Sequence, residues 1–89
     1  MEIHYRKAFL KDIKRLKRQP VYNKVFELVF MTLPTIKTIR ELSDVKSMKG
    51  FSNRYRIRIG NYRIGIEMQD DFIEIVRVLH RRKFYRHFP

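Results

Sequence analysis

Tyr55-Arg56-Ile57-Arg58-Ile59-Gly60-Asn61-Tyr62-Arg63-Ile64-Gly65-Ile66-Glu67-Met68 is the stretch that decides the fold. Isoleucines alternate with arginine or glycine on both sides of a Gly-Asn dipeptide. Successive side chains of a strand point to opposite faces, so a strict two-residue period marks half-buried strands. Gly60-Asn61 is a tight-turn signal between two of them. Ile57, Ile59, Ile64 and Ile66 therefore share a core-facing side. Arg56, Arg58 and Arg63 share the other, together with Gly65, which leaves a bare patch of backbone there. Gln69-Asp70-Asp71 turns the chain again, and Phe72 to Leu79, rich in β-branched residues, is a third strand. Both faces of that strand are apolar. Directing Val76 and Val78 to the core brings Arg77 and Arg81 onto the arginine face and His80 to the core side. Strict alternation would then turn Glu74 inward, so fraying or a bulge is expected at that end.

Upstream, the period changes. Glu2 to Tyr5 alternates over a short span and reads as a strand. Lys7 to Arg18 reads as a helix, with Phe9, Ile13 and Leu16 on one stripe and Lys7, Lys11, Lys14, Arg15, Lys17 and Arg18 around it. Pro20 ends it, because proline cannot continue the hydrogen-bond ladder, and suits the first turn of the next helix. That second helix holds Val21, Val25, Leu28, Val29 and Thr32 in register until Leu33-Pro34. The connection between the helices is short, which predicts an antiparallel helical hairpin. Thr35 to Lys49 reads as a loop with a short helical turn, and Lys49-Gly50 as a turn. The predicted architecture is α+β in the order β-α-α-β-β-β. An N-terminal strand and a helical hairpin pack on one face of a mostly antiparallel sheet, in a single domain spanning residues 1–89.

Composition narrows the function. The chain has 89 residues and a formal charge of +12, yet 44% of it is hydrophobic, which excludes a disordered basic tail. It has no cysteine, which removes disulfides, thiolate metal sites and cysteine nucleophiles. The longest uncharged apolar run, Leu28-Val29-Phe30-Met31, falls far short of a bilayer span, and the N-terminus lacks the apolar segment of a secretory signal. A cytoplasmic protein with no membrane partner is expected. So strong a positive charge points to an anionic partner, of which nucleic acid is the commonest.

The arginine face is where such a partner would bind. Arg56, Arg58, Arg63, Arg77 and Arg81 come from three adjacent strands in this register, followed by Lys83-Phe84-Tyr85-Arg86-His87-Phe88. Like charges on neighbouring strands repel, so the cluster is costly unless an anion fills it. Guanidinium offers forked donors to phosphate, and Tyr85 and Phe84 offer stacking surface to unpaired bases. The competing reading is an ordinary solvated sheet face with packing aromatics. No carboxylate pair, Ser-His-Asp arrangement, phosphate-binding glycine loop or metal motif is evident, and His4 and His87 lack ligand partners at usable spacing. Any catalysis would rest on cations and a tyrosine, with no cofactor.

Lys46-Ser47-Met48-Lys49-Gly50, then Tyr55 to Ile64, then Val78-Leu79-His80-Arg81-Arg82 with Tyr85 resemble the pattern of the RelE/ParE superfamily of type II toxin–antitoxin toxins, with Met48 in place of a leucine. The resemblance covers nearly the whole chain and agrees with the element order. It implies a toxin held inactive by a cognate antitoxin, in a toxin–antitoxin heterotetramer. In the RelE-like branch it implies metal-independent cleavage of mRNA in the ribosomal A site, by attack of a ribose 2′-hydroxyl on the adjacent phosphate. Arg56, Arg63, Arg81 and Tyr85 are then the catalytic set. Arg63 and Arg81 would stabilise the transition state and leaving group, and Tyr85 would stack on or orient a base. Arg54, Arg58, Arg77, Arg82 and Lys83 would bind RNA around them. The Val78-Leu79-His80 ending also resembles the ParE branch, which implies a DNA gyrase inhibitor. A non-catalytic RNA-binding domain is the third alternative.

Overall fold

The structure, a computed structural model, describes residues 1–88. It runs β1 (Glu2–Tyr5), α1 (Lys7–Arg15), α2 (Tyr22–Phe26), β2 (Val45–Ser47), β3 (Arg54–Ile59), β4 (Tyr62–Met68), β5 (Phe72–His80) and α3 (Arg81–His87). α2 continues directly into a π-helical segment, Glu27–Thr32, and then a 3-10 turn, Leu33–Thr35. The sheet order is β1-β5-β4-β3-β2, with β1 parallel to β5 and the other pairs antiparallel. The α+β class and the strand–helix–helix–strands order are as the sequence predicts.

The apolar periods explain the main layer. Phe9, Ile13 and Leu16 of the first helical segment and Val25, Val29 and Leu33 of the second are buried against Ile57, Ile64, Ile66, Ile73, Ile75 and Val78 of the sheet. The first helix stops at Arg15 rather than Arg18. Leu16 N–H turns back to the Ile13 carbonyl at 3.0 Å, tightening the last turn. The long connection contains the expected short helical turn, Ile39–Glu41, closed by a capping box between Thr38 and Glu41.

Two elements go beyond the predicted order. β2 is only three residues long and adds an edge strand, with Val45 opposite Ile57, Lys46 opposite Arg56 and Ser47 opposite Tyr55. α3 follows β5 directly, with His80 Nδ1 accepting from Arg82 N–H at its start. Its Phe84 and Phe88, one turn apart, are buried with Val76 in a second, smaller cluster on the face away from α1 and α2.

β5 also departs from simple alternation. Gly65 pairs with Arg77 but Ile66 with Ile75, so Val76 is the extra residue of a β-bulge. The bulge splits the two valines expected to share the core: Val78 faces the helices and Val76 the second cluster. It also keeps Glu74 out of the core. Glu74 sits opposite Glu67, and Arg6 bridges the two carboxylates at 2.9 and 3.1 Å.

Candidate nucleic-acid interface

The sheet face away from the helices is laid out in three cross-strand rows. The first is Asp44, Arg58, Arg63 and Leu79. The second is Lys46, Arg56, Gly65 and Arg77, and the third Arg54, Glu67, Glu74 and His4. The expected bare patch at Gly65 is covered. The ring of Phe88 lies so close that a Cβ on Gly65 would come within 2.7 Å of it. Glycine is what lets α3 lie flat across the sheet.

The arginines predicted to form one cluster divide by partner. Arg77 is held by α1: its Nε and Nη2 donate to the Asp12 carboxylate at 2.7 and 3.0 Å, and Val78 N–H donates to the same group at 3.1 Å. The hydrogen bonds between Arg77 and Asp12 raise the guanidinium above its ordinary pKa, against the opposing effect of burial. Arg77 therefore ties helix to sheet, and the placement expected for it in the free cluster is corrected. Arg54 is 3.4 Å from Glu67 and stacks on Phe51 and Phe88, 4.8 and 5.9 Å from the ring centroids. Arg58 is 3.3 Å from Asp44 at the exposed edge.

Arg63 donates to the carbonyls of Gly60 and Tyr62 at 2.9 and 3.0 Å, while its buried Nε has no partner. The β3–β4 turn thus holds the guanidinium by Nη1 and leaves donor capacity unused. Arg81, Arg82 and Lys83 are exposed in the first turn of α3. The Arg81 backbone N–H is anchored to the Asn61 carbonyl at 2.7 Å. Arg81 lies in a helix rather than extending the strand, so its short spacing to Tyr85 is an i, i+4 pair on one helix face.

Lys46, Met48, Lys49, Phe51, Arg56 and Tyr85 line one hollow of about 350 Å³. Tyr85 is 56% exposed, its ring held edge-on by buried Phe84 at 5.0 Å. The electrostatics single this place out. Two cationic pairs face each other across strands, Arg58 with Arg63 and Lys46 with Arg56. The first is relieved by Asp44 and by turn carbonyls. The second has no carboxylate partner among the described residues. The hollow is therefore a cationic, aromatic-lined concavity suited to phosphate and an unpaired base.

Lys46 and Lys49 are the site residues that composition and periodicity missed. A three-residue strand carries no readable period, and only its antiparallel register brings Lys46 to Arg56. The Arg77 tie had a signal: Asp12 is the sole acid in a helix otherwise ringed by lysine and arginine, and it stands beside core-facing Ile13.

The model of a family described as the ParE toxin of type II toxin–antitoxin systems matches residues 3–85. The chain is 40% identical to Toxin RelE3 of Methanocaldococcus jannaschii over 90 aligned positions spanning the whole of both chains. It is similar in structure to a chain of the RelB-RelE antitoxin–toxin complex from Methanococcus jannaschii, with TM-score 0.79 and 38% identity over 97% of this chain and 99% of that one. A chain of the Escherichia coli DinJ–YafQ complex shares the fold at TM-score 0.75 and 15% identity, over 94% and 97% of the two chains.

Proposed function

Since the chain belongs to the RelE/ParE superfamily of type II toxin–antitoxin toxins, we propose that it acts as a metal-independent endoribonuclease on mRNA in the ribosomal A site. The observation that carries this reading is the unrelieved Lys46–Arg56 pair in a hollow that also presents Tyr85. Phosphate relieves the repulsion, and the exposed phenol stacks on a base.

In this mechanism the ribose 2′-hydroxyl attacks the adjacent phosphorus. A 2′-oxygen–phosphorus bond forms as the bond to the 5′-oxygen breaks. The hydroxyl gives up its proton and the leaving oxygen gains one, so the products are a 2′,3′-cyclic phosphate and a 5′-hydroxyl. Arg63 and Arg81 stabilise charge on the equatorial and leaving oxygens. Arg56 holds the phosphate, and Tyr85 orients the base. Donors preorganised toward developing charge supply barrier lowering that water cannot, because their orientation is set before reaction. Arg58, Arg82 and Lys83 attract flanking phosphates. Arg54 and Arg77 support the site through Phe51 and Asp12 instead of meeting RNA directly.

A cognate antitoxin is part of the same proposal, supported by the relative solved as an antitoxin–toxin complex. A free protein of charge +12 would bind RNA indiscriminately, so a small acidic partner that covers the hollow or displaces α3 is the expected control. A second reading, inhibition of DNA gyrase, is what the resemblance of the Val78-Leu79-His80 ending to the ParE branch implies, and the matched family model is described as the ParE toxin.

Purified protein added to programmed ribosomes separates these readings. Cleavage within the A-site codon, with gyrase supercoiling unaffected, is expected. Intact mRNA with blocked supercoiling would establish the gyrase reading. RNA binding with neither effect would reduce the chain to a binding domain.

A further inference from the structure

The hollow has a second aromatic wall, to which the proposed mechanism gives no contact with RNA. Phe51 is 44% exposed, yet it is held from three directions. Its backbone N–H donates to the Met48 carbonyl at 3.1 Å, and Met48 N–H donates to the Arg54 carbonyl at 2.8 Å. Between them Gly50 sits at φ 87°, a left-handed conformation that glycine adopts without strain and that closes the turn. The side chain is fixed as well. Phe88 lies on Gly65, Arg54 lies between Phe88 and Phe51, and Glu67 anchors the guanidinium at 3.4 Å. A stack therefore rises from the sheet backbone to the edge of the hollow and ends in an exposed phenyl ring. Arg54 covers one face of that ring and takes no part in lining the hollow. Exposed Lys46 and Lys49 flank it.

We infer that Phe51 is a second base-stacking residue, which together with Tyr85 holds unstacked bases of single-stranded RNA while Lys46 and Lys49 engage the phosphates. The inference rests on the RNA-directed reading above and adds the residue that sets how firmly the substrate is gripped. Every base has a π-face, so an aromatic platform beside cations binds single strands with little regard for sequence. Phe51 is a positioning residue: it fixes a base and leaves the reacting phosphate to the arginines.

The test uses the full-length protein and a short single-stranded oligoribonucleotide, 2′-O-methylated throughout so that it cannot be cut, with 2-aminopurine as the fluorescent base. Wild type quenches the fluorophore on binding. Phe51→Leu, which keeps an apolar side chain beside Arg54 but removes the π-face, is expected to bind roughly 5- to 150-fold more weakly and to lose quenching. Phe51→Trp retains both. Lys49→Ala instead lowers the salt slope by about one unit and keeps the quench. Phe51→Leu with wild-type affinity and quenching overturns the inference. So does a Phe51→Leu protein impaired only in retaining its antitoxin, which would make the ring a protein contact. Cleavage on programmed ribosomes, measured in parallel, separates the two claims. Cleavage with no Phe51 dependence refutes this inference alone. Phe51-dependent quenching without cleavage refutes the nuclease alone.

Discussion

Asp12→Ala removes the one carboxylate that joins α1 to β5. Asp12 is 3% exposed and accepts three hydrogen bonds, two from the Arg77 guanidinium and one from Val78 N–H. Alanine leaves a guanidinium and a backbone donor without their acceptor. Removing one member of a buried ion pair costs about 3–5 kcal/mol. The Arg77 side chain is 22% exposed, so water reaches part of it and the low end, about 3 kcal/mol, applies. A domain of this size loses about 4–8 °C of Tm per kcal/mol, which gives a fall of about 12–24 °C. Asp12→Asn keeps one carbonyl acceptor and should cost about 2 kcal/mol. Replacing both partners, as in Asp12→Leu with Arg77→Met, should recover most of the loss, because the orphaned charge goes with its partner. Thermal and urea unfolding followed by circular dichroism reads all of these. An Asp12→Ala protein within roughly 3 °C of wild type, equivalent to less than about 1 kcal/mol, would refute the reasoning.

Three further outcomes follow from the structure. Gly65→Ala drives a methyl into the Phe88 ring, at an overpacking cost of about 1–3 kcal/mol, and should release α3 before the main core. Faster hydrogen exchange in Arg81–His87 with β4 and β5 still protected is the expected signature, and an unchanged α3 contradicts it. Burial raises the Tyr5 phenol above its usual pKa of 10.0. A raised folded-state value means stability present below pH 10 and lost as pH climbs through it, so Tyr5→Phe should unfold less readily than wild type above pH 10. Equal alkaline midpoints would remove Tyr5 from the account. Arg63→Ala and Arg81→Ala should each slow cleavage on the order of 100- to 1000-fold and relieve growth arrest while still binding antitoxin. A folded Arg81→Ala protein with undiminished toxicity would exclude its proposed role.

The sheet was legible because the helix-facing positions of β3 and β4 are apolar and the opposite ones are arginine, glycine or glutamate, so the two-residue period survives even where α3 covers β4. β5 was half legible: its apolar character marks a strand, but the bulge at Val76 shifts the phase. What pointed to that irregularity was Glu74, a charge that regular alternation would have buried. α3 escaped notice because a seven-residue helix with Phe84 as its buried residue, followed by Phe88, looks like a basic tail. Its position depends on Gly65, whose missing side chain reads in sequence as emptiness and in the fold as a seat for Phe88. Arg56, Arg58, Arg63 and Arg77 take the expected sheet face, whereas Arg81 belongs to a helix and the partners of the others were not foreseen. Arg77 meets Asp12 across 65 residues, and no local pattern records such a tie. Lys46 reaches Arg56 only through the register of a three-residue edge strand. Local periodicity specifies which face a side chain takes, and long-range pairing decides whether its charge remains free.

The central claim is that this chain cuts mRNA through the message's own 2′-hydroxyl. Programmed ribosomes carrying an mRNA with a single 2′-deoxynucleotide at the scissile position test it most directly. The account predicts that the all-ribose message is cut in the A-site codon, leaving a 2′,3′-cyclic phosphate and a 5′-hydroxyl, and that the 2′-deoxy message stays intact. Cleavage of the 2′-deoxy message, or a 5′-phosphate on the downstream fragment, would contradict it.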